Sequence, residues 1–121
     1  MVHHTNRDDF ITVVISANQT QTSAIDFGHK EVIALQMPST WTTANITLLG
    51  ATTVSGAYTP MYDQSGSEIN LAVANNRMIM VDGSSQIFNT IRYMKIRSGT
   101  SATPVSQDAD RLLEFILRGN Y

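Results

Sequence analysis

Alternation of apolar and polar residues dominates this chain over the three-to-four spacing of an amphipathic helix. Successive side chains of an extended strand point to opposite faces, so a period of two means half-buried strands. Ile11, Val13 and Ile15 alternate with Thr12, Val14 and Ser16, which predicts a long first strand with a mixed outer face. A short strand follows at 23–27, with Ile25 and Phe27 inward. In segment 31–37, Ile33, Leu35 and Met37 share one face while Val32 and Ala34 share the other. A strand apolar on both faces belongs in the middle of a sheet, and Pro38 ends it because proline cannot donate to a central ladder. Segments 46–54, 58–62, 68–73, 77–81, 90–98 and 112–118 complete the set. Within 46–54, Gly50 marks a bulge or a close backbone approach. About nine short strands at spacings of roughly 8–12 residues make an all-β sandwich or barrel. The expected core is Ile11, Val13, Ile15, Ile33, Leu35, Leu48, Met94, Ile96, Leu113, Phe115 and Leu117. A helical turn capped by Asp108 is the alternative for 107–113, but the alternation of Leu113, Phe115 and Leu117 favours strand.

A chain of 121 residues is expected to form one domain with a core large enough to need no metal or disulfide. There is no cysteine, which excludes disulfides, zinc–thiolate sites and thiol nucleophiles. Only 15% of residues are charged, against roughly 25% in an average domain. With 42% hydrophobic residues this is not the composition of a disordered chain. It suits a β-rich surface, or one partly covered by identical subunits or a larger assembly. A net charge of −2 argues against direct nucleic-acid binding. No apolar run approaches the ~18 residues of a membrane span, and the polar start lacks the apolar middle of a signal peptide. These features predict a protein made in a cytoplasm and kept or assembled there, with no membrane partner. Residues 1–9 read as an N-terminal arm, and 10–121 as the sandwich domain.

No residue set in the chain is arranged for catalysis, and none is read as binding a cofactor or metal. His3 and His4 are adjacent, cannot point the same way in an extended chain, and have no carboxylates at ligand spacing. His29 lies in a Gly-His-Lys turn. The segment 63–68 has acidic ends around Gly66 but lacks the ligand spacing of a calcium loop, so it reads as a turn. There is no Gly-x-Ser-x-Gly elbow and no phosphate-cradling glycine loop. The expectation is therefore a protein that is not an enzyme. Tyr93, Lys95 and Arg97 would line the outer face of their strand while Met94 and Ile96 face inward. Tyr and Arg are enriched where interfaces concentrate energy. The cluster reads either as an ordinary solvated sheet face or as a candidate partner surface, with His3, His4 and Arg7 of the arm as further contacts. Trp41, the only tryptophan, is expected to cover one end of the core; the competing role is a sugar-stacking platform.

Several motifs in this order carry a resemblance. They are Thr22 to Gly28, the Trp41-Thr42-Thr43-Ala44 segment, the Tyr62-Asp63 turn with Gly66, and Arg92 to Thr100. The chain resembles, over about residues 11–117, the small β-sandwich decoration (cement) and head-fibre proteins of tailed bacteriophages. Its Arg-Tyr-Met-Lys-Ile strand is also similar to one in galactose-binding-like domains, which implies a jelly-roll-like, single antiparallel β-sandwich. The family implies no catalytic residues. It implies a structural protein of the virion that sits on the capsid exterior and stabilises it. Its partners would be the major capsid protein and other copies of itself, as a homotrimer, with a dimer as the alternative. The competing readings are a carbohydrate-binding module on a fibre or tail, stacking sugars on Trp41 or Tyr58, and a neck or tail structural protein.

Overall fold

The computed structural model describes residues 8–28, 30–81 and 91–118. Nine strands follow in order among the described residues: β1 (Asp8–Ile15), β2 (Ile25–Asp26), β3 (Glu31–Gln36), β4 (Ile46–Ala51), β5 (Thr59–Pro60), β6 (Asn70–Leu71), β7 (Met78–Met80), β8 (Tyr93–Ser98) and β9 (Arg111–Arg118). All pairings between them are antiparallel. One sheet has the order β1-β9-β3-β7, and the other β2-β8-β4-β5 with β6 also on β4. The chain crosses between sheets at each step from β1 to β4, and again from β6 to β9. This interleaving is the jelly-roll form of the β-sandwich. Strands β5 and β6 pair with different halves of β4, at Leu49–Gly50 and Ile46–Thr47, so together they fill one strand position. The described residues include no helix, and hence none long and apolar enough to cross a membrane.

The inward residues of both sheets make one core. Ile15, Leu35, Ile46, Leu48, Met94, Ile96, Leu113 and Phe115 are fully buried, and Phe27 meets Phe115 edge-to-face with ring centroids 5.7 Å apart. Ile11 and Val13 pack on this core half-buried, because β1 is an edge strand. Ile33 departs from the expected pattern. The register between β3 and β9 slips between Val32 and Ala34, so Ile33 is an extra residue and only half-buried. Val32 takes the inward place, followed by Leu35 and Met37. A bulge of this kind resets the phase of a strand. Gly50 makes no bulge, since its register with β8 is unbroken. It marks a close approach instead: a Cβ there would lie 3.2 Å from Met61 Sδ.

The expected boundary of the arm needs correcting. Asp8 and Asp9 pair with Arg118 and Leu117 in the β1–β9 ladder, and Asp9 Oδ2 accepts from Lys30 Nζ at 2.6 Å. Asp9 can join the sheet because it sits at the rim with the Lys30 ammonium beside its carboxylate. The remaining residues assigned to the arm lie outside the described ones.

A polar cluster holds the loop between β3 and β4 against β8 and β9. Gln107 is fully buried; its amide donates to Ser98 Oγ (2.7 Å) and to the Thr42 carbonyl (3.1 Å), and its Oε1 accepts from the Thr42 amide (2.9 Å). Arg111 adds bonds from Nε to Gln107 Oε1, from Nη1 to Thr40 Oγ1 and from Nη2 to Thr42 Oγ1. Trp41 packs half-buried on the core, with its indole N–H donated to the Ala44 carbonyl at 3.0 Å.

Candidate interaction surface

The two sheets turn very different outer faces to their surroundings. On the five-stranded sheet, parity places Tyr93, Lys95 and Arg97 of β8 outward, as their spacing predicts. They are not equally accessible. Arg97 is 6% exposed: its Nη2 donates to Glu68 Oε2 at 2.6 Å and its Nε to Thr47 Oγ1 at 3.0 Å. The second oxygen of Glu68 accepts from the Ser101 amide at 3.1 Å and its hydroxyl at 3.3 Å, so the 99–104 turn folds over the pair. Arg97 is thus committed inside the molecule. The sequence missed this because the acid that covers it lies on a different segment. Lys95 is half-buried with its ammonium 4.7 Å from the centre of the Tyr58 ring, and Tyr58 donates to the Val54 carbonyl. Tyr93 is half-buried under the Arg92 guanidinium, which also holds Asp26 with Nε–Oδ1 at 2.8 Å. That bond and the charge of Asp26 raise the Arg92 pKa above its ordinary value. His3, His4 and Arg7, the other expected contacts, lie outside the described residues, as does His29.

The four-stranded sheet presents apolar groups instead. Seven large hydrophobic side chains are exposed among the described residues, and five of them lie on this face: Phe10, Val14, Met78, Met80 and Leu112. The register explains the concentration. Phe10 stands opposite Ile116, Ile116 opposite Ala34, and Ala34 opposite Met80. These four form one apolar row across all four strands. The next row, Thr12–Glu114–Gln36–Met78, is mostly polar, and Val14 with Leu112 begins a third. The bulge at Ile33 is what puts Ala34 into the first row. Side chains in such a row touch their cross-strand neighbours, so Phe10 and Met80 end a continuous apolar band. With strand and residue spacings of about 4.8 and 3.3 Å, the face from Phe10 to Leu112 spans on the order of 300–400 Å². Only part of that area is apolar, and its extent is that of the largest patch on an ordinary monomer, which is often functional.

Among the described residues no three His, Cys, Asp or Glu side chains come together to hold a metal ion. The 63–67 turn is fastened by its own acid: Asp63 Oδ1 accepts from the Ser65 hydroxyl (2.6 Å), the Ser67 amide (3.0 Å) and the Ser65 amide (2.9 Å). Those bonds, the Ser65 hydroxyl foremost, hold the Asp63 carboxyl below the usual carboxylate range.

Comparison with known proteins finds no match for this chain, whether among family models, curated proteins or solved structures.

Proposed function

We propose that this protein is a structural, non-enzymatic subunit that packs onto a larger protein assembly through the outer face of its four-stranded sheet. The apolar row Phe10–Ile116–Ala34–Met80 carries this reading: exposed Phe10 and Met80 stand at its ends, joined through half-buried Ile116 and buried Ala34. The specific assembly proposed is the capsid of a tailed bacteriophage, with the protein as an exterior decoration subunit. That part rests on the resemblance in 22–28, 41–44, 62–66 and 92–100, and a jelly-roll sandwich is compatible with it. Mechanically, the subunit would lie across junctions between major capsid proteins. Burying on the order of 1,000 Å² or more per site would hold those junctions closed by mass action.

The carbohydrate-binding alternative gains no support from its two expected platforms. Trp41 is packed on the core with its N–H satisfied, and the Tyr58 ring lies against Lys95.

The test is particle stability. Particles lacking the protein should lose DNA at lower temperature, and added wild-type protein should restore them. A Phe10→Asp/Met80→Asp variant that keeps its β-sheet circular dichroism should fail to restore them. Equal stability with and without the protein rejects the capsid role, and full restoration by the variant rejects this face.

A further inference from the structure

Among the described residues the two sheets have four edges, and three of these are short. β7 has three residues, β2 has two, and β5 and β6 have two each with Pro60 in β5. Short strands and proline are the usual protection of a sheet edge against pairing with another chain. The fourth edge, β1, is eight residues long, runs in unbroken register with β9, and reads Asp-Asp-Phe-Ile-Thr-Val-Val-Ile. From Phe10 to Ile15 it has no proline, no lysine and no bulge.

The hydrogen-bond parity of the sheet shows which backbone groups this edge offers. The Ile33 carbonyl accepts from Val81, and the Met37 amide donates to Arg77, so these odd-numbered residues of the β3 segment turn their backbone toward the β7 side. In an antiparallel ladder the direction alternates. Ala34 and Gln36 therefore bond Ile116 and Glu114, and the odd residues of β9 bond Ile11, Val13 and Ile15. Phe10, Thr12 and Val14 are left pointing away from the sheet. The Phe10 amide agrees, donating to its neighbour's Asp9 Oδ1 at 2.9 Å rather than to β9. Among the described residues, clefts of about 310 and 390 Å³ run along the edge, lined by 11–14 with 22–26 and by 9–11 with 26–28.

We infer that β1 pairs antiparallel with β1 of a second copy of this chain, joining the two four-stranded sheets into one of eight strands about a two-fold axis at Thr12. The occupant follows from self-complementarity. Outward backbone groups must meet outward groups, so even residues pair with even, and centring on Thr12 uses the whole strand. Thr12 then faces Thr12, and Phe10 faces Val14, both favourable cross-strand pairs. Ile11 faces Val13, and those half-buried side chains gain cover along the cleft of about 310 Å³. Asp8 and Asp9 fall opposite Ser16 and Ile15, so the acidic ends sit at opposite corners; a parallel pairing would set like charges side by side. The apolar row of one copy continues from Phe10 onto Val14 and Leu112 of the other, which pair in β1 and β9. The inference stands apart from the assembly reading above, and its geometry closes at two copies.

Sedimentation velocity of the full chain from about 1 µM to about 1 mM tests it. A concentration-dependent dimer is expected. Thr12→Pro removes an outward amide that β9 does not use, and Val14→Lys places a charge beside the pairing partner; each should weaken the dimer tenfold or more. If circular dichroism shows that Thr12→Pro has lost the fold, Val14→Lys carries the decision. Thr12→Cys supplies a positional readout, because the chain has no other cysteine and a Cα separation of about 5.5 Å in such a pair suits a disulfide. It should give oxidised dimers, whereas Met80→Cys on the far edge should not. Met80→Asp should leave the dimer intact, separating this edge from the assembly face. A wild-type chain that stays monomeric throughout overturns the inference. So does a dimer that both folded edge variants leave unchanged, or equal cross-linking of Thr12→Cys and Met80→Cys.

Discussion

The Arg97 guanidinium and the Glu68 carboxylate meet at 2.6 Å with side chains only 7% and 13% exposed, an ion pair taken almost wholly out of water. It ties β8 to the segment before β6, and through Ser101 to the turn after β8. Removing one partner of a buried pair leaves an uncompensated charge, so Glu68→Ala should destabilise by about 3–5 kcal/mol. Replacing both, as Glu68→Leu/Arg97→Met, should recover most of that loss because the charge goes with its partner. Urea denaturation of the three variants checks this; a double variant as unstable as the single one would contradict it.

Gln107 bonds Thr42 at both its amide and carbonyl, bonds Ser98, and supports Arg111. Gln107→Ala should cost about 3 kcal/mol, since it strands several buried polar groups at once. Arg111→Lys should also destabilise measurably, because an ammonium cannot reproduce the three-way fork to Gln107, Thr40 and Thr42. Thermal melts report both, and amide exchange at Thr42 should quicken in each.

Gly99 and Gly66 both adopt positive φ, at 89° and 92°, but their surroundings differ. A Cβ on Gly99 would lie 2.5 Å from the Thr103 carbonyl oxygen, whereas nothing lies within 4 Å at Gly66. Gly66→Ala should cost about 1 kcal/mol from backbone strain alone, and Gly99→Ala clearly more. Comparable melting temperatures for the two variants would refute the steric argument.

Asp63 supplies a pH-dependent element. Its carboxyl is held below the usual range in the folded turn, chiefly by the Ser65 hydroxyl and next by the Ser67 amide. The sign follows: the stabilisation is fully present above the unfolded-state pKa and is lost as pH falls through the lower folded value. NMR resonances of Ser65 and Ser67 should therefore titrate at a pH below that of an unstructured aspartate. In Asp63→Asn that titration should vanish.

The nine strands were legible because a period of two is local: each segment announces itself without reference to its neighbours. The burial of Arg97 was not, since it depends on Glu68 from another segment reaching the same row as Thr47. The apolar band was hidden for the same reason. Phe10, Ile116, Ala34 and Met80 come from four separate strands, and only the register aligns them. A signal was nevertheless present: Val14, Met78, Met80, Leu112 and Ile116 are apolar at positions alternating with core residues. A strand that needs only one buried face has no use for them there. Ile33 misled the reading because strict alternation does not allow for an inserted residue.

That inserted residue has an evolutionary consequence. Anywhere else in β3, gaining or losing one amino acid would turn every following side chain inside out. At Ile33 the ladder already absorbs an odd step, so deleting it would leave Val32 opposite Leu117 and Ala34 opposite Ile116 in one unbroken register, with every other side chain on its present face. Within β3 this is the place where a single-codon length change can pass without turning the strand inside out.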